Sequence, residues 1–189
     1  NDDSVPETSV GVSKEPLEII ADNLTTPWEL VELPNGNILF TERNGMVSMF
    51  NLETGEITKV HTTMTTETEE GGLLGMALHP DFENKRLVYL YEGYGKEGDV
   101  LLNRVVTYSL DGNNFTKQNV IIDNIPGAEY HDGGRIAFGP DGKLYITTGD
   151  ATKRELVQDL NSVAGKILRL NPDGSIPSDN PFANSPVYS

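Results

Sequence analysis

Histidine is scarce in this chain: its three imidazoles stand at His61, His79 and His131, and there is no cysteine. Without thiols there is no disulfide, no thiolate metal site and no cysteine nucleophile. The histidines are too widely spaced for the short-range pairs that a zinc site uses. His61 opens the polar run HTTMTTETEE, which predicts a solvated loop residue, and His79 sits in ALHPDF, where a turn hydrogen bond is expected. His131 lies in EYHDGGR, a glycine-flanked loop in which small residues let another molecule approach the backbone. Because imidazole titrates near neutrality, a histidine in such a loop suits a general base, although an ordinary surface histidine fits the same residues. Asp150 closes the apolar run KLYITTGD. A carboxylate at a strand end can orient an imidazole through Nδ1–H, or merely cap a turn. Glu70, before the glycine pair of EEGGLLG, is either a further pocket carboxylate or plain loop charge.

Other motifs fail on context. GGLLG lacks the strand–loop–helix setting of a phosphate cradle, and no serine has a G-x-S-x-G setting. The DG turns at Asp111, Asp141 and Asp173 lack the alternating oxygen ligands of an EF-hand loop.

The elements that must position these residues are strands. Helical periodicity is confined to one candidate segment, 154–163, and the rest alternates short apolar runs with turn signals. Three units share one grammar of strand, proline-centred turn and strand: WELVELPNGNILFTER (28–43), GLLGMALHPDFENKRLVYLYEG (72–93) and GGRIAFGPDGKLYITTGD (133–150). Their turn prolines are Pro34, Pro80 and Pro140, and each unit continues to a strand and a turn glycine at Gly55, Gly112 or Gly174. Two signals recurring in phase at roughly 50 residues or more predict an all-β β-propeller rather than a β-sandwich, and Trp28 reads as core or blade-edge packing. The blades are expected near 17–61, 72–125 and from 133 onward, after a polar, disordered tail at 1–16. The last stretch, NPFANSPVYS, reads as extended and without a closing strand. Closed propellers need at least ~4 blades, so residues 17–189 are expected to form part of a ring, its remaining C-terminal blades either cut off by truncation or supplied as a partner by a separate chain.

The formal net charge is −15, from 29 acidic and 14 basic side chains. Such a surface repels phosphate backbones and argues against nucleic acid and anionic lipid as partners. No run approaches the ~18 apolar residues of a membrane helix. The polar start predicts a protein that is secreted, periplasmic or tethered at the cell surface.

Four strings, PWELVELPNGNILFTERNG, EGGLLGMALHPDF, YHDGGRIAFGPDGKLYITTGD and GKILRLNPDGSIPSDNPF, occur here in an order that resembles the soluble quinoprotein glucose/sorbosone dehydrogenases, from about residue 19 to the end. The resemblance implies a six-bladed propeller that binds pyrroloquinoline quinone (PQQ) and Ca²⁺ over its axis and oxidises an aldose at C1 to the lactone. It implies that His131 takes the proton of the anomeric hydroxyl while hydride passes to the quinone, with Asp150 as its acidic partner. Glu70 matches a pocket position that carries Gln in the best-known glucose enzyme, and Tyr130 one that carries Asp there. Glu70 and Tyr130 are thus implied to touch substrate, and His131 and Glu70 the cofactor. The family's G-x-R-N-P-Q-G segment, its calcium ligands and its basic PQQ contacts are expected beyond residue 189, so no metal ligand is assigned here. An external electron acceptor completes the implied cycle. The alternative is a non-catalytic binding propeller of the same superfamily, as in the hedgehog-interacting protein.

Overall fold

Blades one and three are built on the same turn chemistry. In the first, Leu33 N donates to Asn37 O and Gly36 N to Leu33 O; in the third, Gly139 N donates to Lys143 O and Gly142 N to Gly139 O. Gly36 and Gly142 take the same left-handed φ, +81° and +69°, which closes the hairpin at no steric cost. The computed structural model describes residues 18–96 and 100–189; the tail expected at 1–16 lies outside them.

The described residues form an all-β protein of three antiparallel sheets. The first runs in chain order through β1 (Pro27–Glu32), β2 (Ile38–Glu42), β3 (Met46–Phe50) and β4 (Ile57–Thr62). The second follows with β5 (Leu73–Leu78), β6 (Leu87–Lys96), β7 (Val100–Asp111) and β8 (Asn114–Pro126). The third holds β9 (Gly133–Phe138), β10 (Leu144–Thr148) and β11 (Ile167–Leu170). These sheets are the three blades that the repeat predicts.

Blade two is buried on both faces, which explains why LVYLY reads as a continuous apolar run instead of an alternation. Val88 and Leu90 pack with Leu39, Val47 and Met76 toward blade one. Tyr89 and Tyr91 pack with Ile136, Leu144 and Leu168 toward blade three. The blades meet closely: Thr41 Oγ1 of β2 donates to Leu74 O of β5 at 2.8 Å, and a Cβ on Gly75 of β5 would stand 2.2 Å from Gly134 O of β9.

Four expectations are corrected. The helix expected at 154–163 is a single 3₁₀ turn, Arg154–Leu156, because Lys166 Nζ takes the Leu156 and Val157 carbonyls that a helix would need. The second unit inserts a one-turn helix, α1 (Phe82–Lys85), into its proline turn. The final residues do begin a closing strand: Val187 pairs antiparallel with Leu168, and Arg169 N donates to Pro186 O. His61 is no loop residue. It lies in β4 with its ring 5.0 Å from Tyr108 and 5.5 Å from Phe115, and burial lowers its pKa.

Candidate active site

Three connections bring the chemistry to one end of the sheets: the loop before β5 carries Glu70, the loop before β9 carries His131, and the end of β10 leads to Asp150. His131 Nδ1 and Asp150 Oδ1 are 2.8 Å apart. A carboxylate only accepts, so Nδ1 is the donor and Nε2 is left as the ring's outward nitrogen. The imidazole side chain is 52% exposed and the carboxylate 16%. Thr152 N also donates to Asp150 Oδ1, at 2.9 Å. The hydrogen bond from His131 is the main reason that Asp150 lies below the ordinary carboxylate range.

The backbone of His131 is as constrained as its ring. Its φ is +66°, a left-handed value that a non-glycine residue keeps only when neighbours enforce it. Its N–H donates to Glu70 Oε2 at 2.6 Å, Glu70 N donates to Glu129 O, and Ala151 N donates to the His131 carbonyl. Gly149 makes this possible, since a Cβ there would stand 1.5 Å from His131 O. The structure therefore brings His131, Asp150 and Glu70 together. Tyr130 is exposed beside them and makes no side-chain hydrogen bond among the described residues. His79 keeps to its turn, where its Nδ1 accepts from Asp81 N at 2.9 Å.

His131 and Asp150 line one open cavity of about 520 Å³, and Glu70 lines a neighbouring one of about 320 Å³ with Trp28, Arg43, Asp132 and Gly133. The cations that line these cavities are already engaged. Arg43 donates to the carbonyls of Gly71 and Thr68, and Lys166 donates to those of Leu156, Val157 and Ala164. Arg135, on β9, lies 4.1 Å over the Trp28 ring and pairs with Glu29. Among the described residues no three His, Asp or Glu side chains gather to hold a metal ion.

Sequence reasoning missed Gly149, Lys166 and Asp132. Gly149 was visible in TTGD, but its need arises from a contact with residue 131. Lys166 opens the strand string KILRL with nothing local to mark its role, and the carbonyls it satisfies belong to a segment that looked helical. Asp132 sits inside the quoted HDGGR motif and carried no signal of its burial.

Residues 24–189 match the family model described as Glucose / Sorbosone dehydrogenase. The chain belongs to this family. It is 30% identical over 200 residues to quinoprotein glucose dehydrogenase B of Acinetobacter calcoaceticus, covering 90% of this chain and 42% of the relative. The PQQ-bound aldose sugar dehydrogenase of Streptomyces coelicolor superposes with a TM-score of 0.83 at 37% identity, over 90% of this chain and 52% of that one. The mouse hedgehog-interacting protein is 27% identical over 200 residues, 89% of this chain and 28% of its own length. The chain thus spans about half or less of the family members it matches. Its fold is that of the β-propeller sugar dehydrogenases. No helix among the described residues is long and apolar enough to cross a membrane.

Proposed function

We propose that this chain supplies the catalytic base and one wall of the pocket in a PQQ-dependent sugar dehydrogenase that oxidises an aldose at C1 to its lactone. The observation that carries the reading is the half-exposed His131 imidazole held by Asp150 through Nδ1. With Nδ1 spent, Nε2 is the nitrogen able to accept a proton from the anomeric hydroxyl. Asp150 keeps the tautomer and stabilises the imidazolium that forms, while Glu70 fixes the backbone from which the ring projects.

The residues present suit the reacting face of PQQ, because the half-exposed His131 imidazole opens onto one cavity and Glu70, bonded to the His131 N–H, lines the neighbouring one with Gly133 and Trp28. They do not amount to a clamp for its carboxylates, since Arg43 and Lys166 are committed to backbone carbonyls. His131 and Glu70 would border the cofactor, and the anionic clamp and the Ca²⁺ ligands would come from the remaining blades. When bound, PQQ accepts the hydride that leaves C1. Residues 17–189 are in this reading the first half of the propeller, and activity belongs to the completed protein. The same reading places that protein outside the cytoplasm, where an external acceptor takes the electrons.

The binding-module alternative is favoured by the match to the hedgehog-interacting protein. The ordered His131–Asp150 pair favours the enzyme. The test is aldose oxidation by the complete protein reconstituted with PQQ and Ca²⁺. His131→Gln should lower kcat by roughly 10²–10⁴-fold while PQQ affinity changes little, and His79→Gln should leave turnover unaltered. Near-full turnover in a folded, PQQ-loaded His131→Gln protein would sink the mechanism and move the weight to the binding reading.

A further inference from the structure

We infer that Asp132 is a positioning residue whose buried carboxylate fastens the His131 peptide to blade two; this rests on His131 being the base. Asp132 is only 3% exposed, an unusual place for an acid that directly follows a half-exposed histidine. Its Oδ1 accepts from Asn103 Nδ2 of β7 at 2.8 Å and from Ala128 N at 3.2 Å. Its carbonyl accepts from the hydroxyl of Tyr91, in β6, at 2.9 Å. The loop that presents His131 is therefore bolted to the preceding blade by two donors, Asn103 and Tyr91, and closed on itself by a third, Ala128 N.

Room for the carboxylate is made by missing side chains. A Cβ on Gly127 would stand 3.1 Å from Oδ1, and one on Gly71 would stand 3.2 Å from Oδ2. Oδ2 itself is buried with no hydrogen-bond partner, so the acid carries a desolvation cost that packing alone does not explain. Burial raises its pKa and the neighbouring Glu70 raises it further, against the donors and Arg43. What the arrangement achieves is geometric. A left-handed His131 relaxes to ordinary backbone angles unless the next residue is held, and that relaxation swings the ring away from Asp150.

The test uses the complete protein and two readouts. Asp132→Ala removes the Oδ1 acceptor, whereas Asp132→Asn keeps it. The Ala variant should lose kcat by about 10–100-fold with KM for the aldose within about threefold, and the Asn variant should stay within about threefold of wild type on both. The second readout is the imidazole Nδ1–H resonance in ¹⁵N-labelled protein, expected to vanish or move upfield in Asp132→Ala and to return in Asp132→Asn. If Asp132→Ala does not fold, Asn103→Ala strips the carboxylate of a donor without touching the loop and should weaken the same resonance. An unchanged resonance in a folded Ala or Asn103 variant overturns the assignment, as does an Asn variant impaired as badly as Ala. If the wild-type protein oxidises no aldose, the proposed function fails, while the resonance still decides whether Asp132 positions the ring.

Discussion

A left-handed backbone, a backbone N–H bound by Glu70 and a ring nitrogen bound by Asp150 leave His131 one direction in which to act. Asp150→Asn keeps an oxygen that can accept from Nδ1–H but removes the charge that stabilises the imidazolium. Its kcat should fall by about 10–100-fold, less than for His131→Gln, as steady-state kinetics on the complete protein will read. The same contact has a pH signature. Asp150 is held below the ordinary carboxylate value of 3.8, so its stabilisation is complete above that value and is lost as pH falls through the lower native one. The difference in melting temperature between wild type and Asp150→Asn should therefore narrow between pH 5 and pH 3; a constant difference would show that the hydrogen bond does not favour the carboxylate. His131 and Asp150 stood out in the sequence as candidates, one in a glycine-flanked loop and one at a strand end, and the family resemblance paired them. Asp132 was not, since its burial depends on Asn103, 29 residues away on another strand.

The segment between β10 and β11 shows how an element can be misread for a physical reason. Its apolar spacing suits a helix, yet Lys166 draws three carbonyls of this segment around one ammonium, and Asp159 Oδ1 caps Asn161 N at 2.9 Å. Lys166 is itself only 5% exposed, and its N–H donates to Thr148 Oγ1, two residues before Asp150. Lys166→Met leaves those carbonyls without their donor, at ~1–3 kcal/mol for each that water does not reach. The variant should melt several degrees lower and lose turnover with little change in KM; a wild-type melting temperature would show that the ammonium is dispensable. The strands and the P-N-G and P-D-G turns, in contrast, were legible because alternation and turn residues act locally. The one-turn helix α1 was hidden by a proline turn shared with its sister units.

At the level of the whole molecule, the two hydrophobic clusters flank blade two, and the outer faces of blades one and three are left partly apolar. Ile19 (83%), Leu30 (65%) and Ile20 (54%) are exposed beside blade one, and Tyr188 (42%) and Ile167 (40%) beside blade three. Ile19, Ile20 and Leu30 line one continuous apolar cavity of about 520 Å³ with Trp28, Phe40 and Phe50. Exposed patches of this kind and a freshly started ladder at Val187 are association surfaces. The 189-residue chain prepared alone should self-associate or melt without cooperativity, as sedimentation and calorimetry will read. A monodisperse monomer with a sharp two-state melt would overturn this. The blade repeat was visible in the sequence through its in-phase turn signals. The closing contacts of Pro186 to Ser189 were not, because four residues carry too little periodicity to announce a strand.

The three site connections come from consecutive blades, and every contact that orders the imidazole lies between Glu70 and Lys166. A stretch that ends at β11 therefore holds His131 together with both carboxylates that fix it, Glu70 and Asp150. In the proposed reading, then, the proton acceptor is aimed by contacts that lie within this one stretch, and the remaining blades would add the cofactor's clamp to a ring already oriented.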